Sequence, residues 1–171
     1  MNELTHLLYD PYVLNWISPK RHSTDIIIKN DTESIYTTDW RAFYSTAING
    51  FSAYLETSEE KGLDSFLNIM KRLFIRNRIY YQESPVSKYT QIHEQIANII
   101  KDLECSDTYT ADTLIIYMNL PQGSNVGIYQ LGMFLRNLKK EYKHFKRFIT
   151  TSSEATTEGR IIVTLGMKIK R

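Results

Sequence analysis

TLIIYMNLPQG, residues 113 to 123, is an apolar, largely β-branched and aliphatic run that stops at Pro121, Gln122 and Gly123. Eight residues bounded by turn formers are too few for an ordinary buried helix, so the run predicts an interior strand. Its neighbours must then supply the layers that cover it. Upstream, Ser84-Pro85 predicts the start of a helix, because proline is tolerated in a first turn, and Tyr89, Ile92, Ile96, Ile99, Ile100 and Leu103 recur at helical spacing. Before it, Leu63, Phe66, Leu67, Met70, Leu73 and Phe74 mark another helix. An earlier one, with Trp40, Phe43, Tyr44, Ala47, Ile48, Phe51, Tyr54 and Leu55, follows Asp39, a good N-cap. TDIIIKNDTESIYTT, residues 24 to 38, predicts a hairpin turning at Asn30-Asp31-Thr32-Glu33. Residues 1 to 23 form an N-terminal segment with a helical turn at 4 to 9, stopped by Pro11 and again by Pro19.

Downstream of the strand, a helix is predicted over roughly 126 to 149, then a polar loop, TTSSEATTEG, whose hydroxyls are candidates for phosphorylation. RIIVTLGMKIK, residues 160 to 170, alternates with period two and predicts a half-exposed strand. No repeat or interdomain linker interrupts the pattern. The expectation is one α+β domain over residues 24 to 171, with a small, mainly antiparallel sheet packed with about four helices.

Composition agrees. A chain of 171 residues suits one core, and 42% apolar with 23% charged residues is far from the composition of disordered chains. No apolar run nears the roughly 18 residues of a membrane span, and MNELTHLLYDPYVL lacks the charged and apolar regions of a signal peptide, so a cytoplasmic protein is expected. The single cysteine, Cys105, excludes an intramolecular disulfide and fits a reducing compartment.

Catalytic motifs are missing. His6, His22, His93 and His144 are never paired at i+3 or i+4, and His93-Glu94 is followed by Ala97 where a second metal ligand would stand. PQGSNVG lacks the Lys-Ser/Thr of a phosphate cradle, and no GxSxG elbow occurs. The reading is a non-enzymatic protein with neither metal nor cofactor.

Charge is unevenly distributed. The net charge is +2, yet residues 1 to 60 hold 4 basic and 9 acidic side chains, while residues 136 to 171 hold 10 basic and 3 acidic. On a helical wheel at about 100° per residue, Arg136, Lys139, Lys140, Lys143, Lys146 and Arg147 share one arc, opposite Leu131, Phe134, Leu135, Leu138, Tyr142, Phe145 and Ile149. Like charges at i and i+4 cost a few tenths of a kcal/mol each, so an anionic partner is expected for this ridge: nucleic acid, anionic lipid or an acidic protein. Lys71, Arg72, Arg76 and Arg78, within KRLFIRNRIYY, make a secondary patch in which Tyr80 and Tyr81 are either base-stacking faces or core. Lys168 and Lys170 extend the ridge if the last strand lies beside the basic helix.

The order of IIIKN, DWRAFYSTAINGFSAYLE, LDSFLNIMKRLFIR, TLIIYMNLP, a long helix and RIIVTLGMKI resembles that of rhabdovirus matrix proteins over most of the chain. This sequence has neither a lysine-rich tail nor a Pro-Pro-x-Tyr motif, LYDPYVL being the nearest stretch, which suits a shorter, plant-type member. The resemblance implies a viral structural protein of the virion and host cytoplasm that self-associates, condenses a ribonucleoprotein and bridges it to the inner face of an anionic membrane. The alternative is a cytoplasmic, nucleic-acid-binding regulatory protein of a phage or mobile element that uses the same basic helix.

Overall fold

The computed structural model describes residues 3–20, 23–57, 59–104, 108–141, 147–155 and 158–170. In chain order the elements are α1 (Glu3–Leu8), α2 (Pro11–Ile17), β1 (Asp25–Lys29), β2 (Ser34–Thr37), α3 (Trp40–Gly50), α4 (Ser52–Thr57), α5 (Glu59–Leu73) and β3 (Arg78–Pro85). A 3₁₀ turn (Tyr89–Gln91), α6 (Ile92–Glu104), β4 (Tyr109–Pro121), α7 (Ile128–Glu141), β5 (Arg147–Ala155) and β6 (Arg160–Ile169) follow.

Six strands form one sheet in the order β2-β1-β3-β6-β4-β5. Three of its pairings are antiparallel, and β1–β3 and β4–β5 are parallel. Helices cover both faces. Ile26, Ile79 and Tyr117 face a cluster with Leu8, Ile17, Phe43 and Phe66 from α1 to α5. Leu114, Ile116 and Val163 face the other cluster, with Ile92, Ile96 and Leu138 from α6 and α7. The domain is therefore α+β with a helical layer on each side of a mixed sheet.

This layering explains where local pattern and structure part. β6 was expected to be half exposed, but every residue from 161 to 167 is buried, because Ile162 serves one cluster while Ile161, Val163, Leu165 and Met167 serve the other. Residues 78 to 85, which the local pattern assigned to no strand, form β3. Ile79 and Tyr81 alternate inward, and Pro85 closes this strand instead of opening a helix. The basic helix ends at Glu141; Phe148 and Ile149 pair with Leu114 and Ile115 in β5, where the parallel ladder overrides helical spacing. Most of the hydroxyl-rich stretch expected to be a loop belongs to that strand.

Other local readings hold. The 24–38 hairpin forms, and Asn30 Oδ1 accepts from the backbone N–H groups of Thr32 and Glu33, both at 3.0 Å, to close its turn. Asp39 caps α3 by accepting from Arg41 N at 3.0 Å, although the helix expected to run on to Leu55 is divided at Phe51. Pro11 does not simply stop a helix. It begins α2, capped by Asp10, whose Oδ1 accepts from Tyr12 N at 2.9 Å.

Candidate functional site

Strands β1, β3, β4 and β5 run in one direction, β2 and β6 in the other. Because α5, α6 and α7 each precede one of the parallel strands, all three finish at the end of the sheet where those strands start. Their last turns carry Lys71 and Arg72, Lys101, and Lys139 and Lys140. A cation at a helix C-terminus offsets the negative pole of the macrodipole, and this connectivity gathers three such termini at one edge. The last turns also hold the acids Asp102, Glu104 and Glu141. Strand β6 brings Lys168 and Lys170 to the same edge, and Arg147 starts β5 level with Thr113, which pairs with Gly166 on its other side.

On α7, Arg136, Lys139 and Lys140 are exposed, while Leu138 is buried and Leu131, Phe134 and Leu135 pack on the core. The division of the wheel thus holds over the helical part of the ridge. Lys143, Lys146, Tyr142 and Phe145 lie outside the described residues, and Arg147 stands in a strand, so the six cations do not share one helical face.

The secondary patch separates into different roles. Arg76 is buried: its Nε donates to Asp112 Oδ1 at 2.8 Å, its Nη2 to Thr113 Oγ1 at 3.5 Å, and its carbonyl accepts from Thr24 Oγ1 at 3.0 Å. It offers no surface to a ligand, and holds the turn between α5 and β3 against β4. Lys168 Nζ lies 3.6 Å from Asp112 Oδ2, supplying a second cation to the same buried carboxylate while its own side chain stays half exposed. Arg78 is half-buried, with its guanidinium 4.1 Å from the centre of the Tyr109 ring and Nη2 at 3.8 Å from Asp25 Oδ2. Asp25 also accepts from the hydroxyls of Tyr36 and Tyr109, at 2.8 and 3.1 Å. The hydrogen bond to Asp25 raises the Tyr36 pKa, and burial together with the same carboxylate raises that of Tyr109. Tyr81 is core, edge-on to Phe43 with centroids 5.7 Å apart, and Tyr80 packs partly buried beside the second cluster. Neither is a free stacking platform.

Arg72 and Lys170 are exposed, while Lys71 is half-buried with its Nζ 3.8 Å from the centre of the Trp16 ring. That pairing, across 55 positions of sequence, has no local signal. The opposite end of the sheet is tied differently. Arg160 Nε donates to Glu83 Oε1 at 2.9 Å and Nη2 to Asp31 Oδ1 at 3.3 Å. Burial works against the Arg160 charge, but the two carboxylates outweigh it and its pKa is raised.

Among the described residues no three His, Cys, Asp or Glu side chains converge as a metal site, and no helix is long and apolar enough to cross a membrane.

No family model matches the chain, and no curated protein matches it either. Among solved structures it is similar to the FtsZ W319Y mutant of M. jannaschii, at 12% identity and a TM-score of 0.43, over 77% of this chain and 44% of that one. A likeness at that level carries no inference about function.

Proposed function

We propose that the chain is a non-enzymatic structural protein that seats an extended polyanion on the positive end of its sheet. One observation carries this reading: three helix C-termini and the end of β6 bring Arg72, Lys101, Lys139, Lys140, Lys168 and Lys170 to a common edge, with Arg136 exposed about one turn further back on α7. The acids at the strand starts, Asp25 and Asp112, are already engaged by Arg78, Arg76 and Lys168. Contacts of this kind are weak singly and indifferent to base sequence, and they grow strong when many subunits act on one polymer. The finer form of the proposal is a matrix-type role, in which self-associating subunits bind ribonucleoprotein phosphates and anionic lipid headgroups.

Co-sedimentation with single-stranded RNA and with phosphatidylserine vesicles, each over a salt series, tests both levels. Binding should fall steeply with salt. The double variant Arg136→Glu/Lys140→Glu should lower the RNA salt slope by about 0.7 per lost phosphate contact without moving the melting temperature. An unchanged slope removes α7 from the interface. RNA binding without vesicle binding or concentration-dependent assembly leaves the coarser reading and discards the matrix role in favour of a nucleic-acid-binding regulator.

A further inference from the structure

Beside the Lys71–Trp16 contact lies an open cleft of about 490 Å³, lined by Trp16, Ile17, Ser18, Lys20, Lys71, Phe74 and Ile75. It forms where α2 ends against the last turn of α5. Its volume is that of a small-molecule site. The wall is mainly apolar and part of it faces solvent: Trp16 is 44% and Ile75 60% exposed, whereas Ile17 and Phe74 form a floor that continues into the core. Two ammonium groups stand at this wall with no carboxylate within ion-pair distance among the described residues. Lys20 Nζ donates to the Asn15 carbonyl, to Asn15 Oδ1 at 3.1 Å and to Ser18 Oγ at 2.9 Å, so its three donors are held by neutral acceptors. Its charge is fixed in position and meets no carboxylate among the described residues. Lys71 rests on the Trp16 ring and makes no hydrogen bond to the described residues.

An apolar slot with a fixed positive charge and a second cation retaining its donors is complementary to one ligand shape. A neutral hydrocarbon would leave the cations unanswered. A free phosphate would leave the rings and Ile75 in water, and a polyanion would not fill the slot. We infer that this cleft binds a monoanionic amphiphile, a carboxylate on a hydrocarbon chain, with the carboxylate on Lys71 beside Lys20 and the chain along Phe74 and Ile75. The inference does not depend on the polyanion reading, since it uses none of the α7 cations.

The chain has two tryptophans, so a Trp40→Phe background leaves Trp16 as the only indole reporter. Decanoate, kept below its micellar concentration, should change Trp16 emission saturably and give a matching saturable heat in calorimetry. Decanol should bind at least about tenfold more weakly, the effect of losing about 1.4 kcal/mol of charge-assisted contact. Lys71→Gln should weaken decanoate by about the same factor and leave decanol unchanged, and Lys71→Arg should restore decanoate. Equal affinity for decanoate and decanol, an unchanged decanoate affinity in Lys71→Gln, or no saturable signal by either method would each overturn the assignment.

Discussion

Asp112 is a carboxylate buried between Arg76 and Lys168, with one oxygen hydrogen-bonded and the other facing the lysine at 3.6 Å. Removing it strands a buried guanidinium, which costs more than the intact pair contributes. Asp112→Ala should therefore lower unfolding free energy by about 3–5 kcal/mol, and Arg76→Met in that background should recover most of it, measured by denaturant melts. The buried phenols set a limit on the alkaline side. Burial pushes the pKa of Tyr44 up, and that of Tyr81 is raised by burial and then by Glu83. A phenol whose folded pKa exceeds its unfolded value of about 10 stabilises the fold fully below that pH, and the gain is lost as pH rises toward the folded value. In an ultraviolet titration of phenolate, these two groups should ionise only together with cooperative unfolding, and Tyr81→Phe should reduce the alkaline sensitivity of the melting temperature. Asp39 as a cap was legible because its partner, Arg41 N, is two residues away. Arg76 was misread as surface because its counter-ion is 36 positions away, a separation that no local pattern spans.

At the level of elements, helices with an apolar stripe were legible wherever one face met the core. The errors fall in strands whose ladder partners are remote in sequence. Residues 147 to 149 continue the helical spacing of α7 closely enough to be read as helix, yet they join β4 in a parallel ladder. RIYYQESP was hidden by the cation that opens it, since Arg78 reads as a surface charge until its stacking on Tyr109 is seen. Phe134 is only partly buried, near His93 with ring centroids 6.3 Å apart, so Phe134→Ala should cost less than the about 3–5 kcal/mol of a fully enclosed ring. A thermal melt compared with Phe43→Ala, whose ring is fully buried, gives the contrast.

For the molecule as a whole, the uneven charge was legible from composition, but its placement was not, because it depends on which end of the sheet each helix reaches. The α+β class and the single sheet followed from element types; the strand order did not. That order has a consequence for how the chain folds. Strands β2, β1 and β3 form one ribbon and β4 and β5 another, and no strand of either pairs with a strand of the other. Among the described residues only β6 joins them, pairing with β3 on one side and with β4 on the other. Its ladder partners lie 41 to 60 positions away in β4 and 75 to 89 positions away in β3, so the loop-closure entropy of joining the ribbons falls on the insertion of this one strand. Until then each ribbon presents a raw edge to whatever strand is nearest. The keystone of this sheet is thus also the step at which a neighbouring chain can compete for the gap.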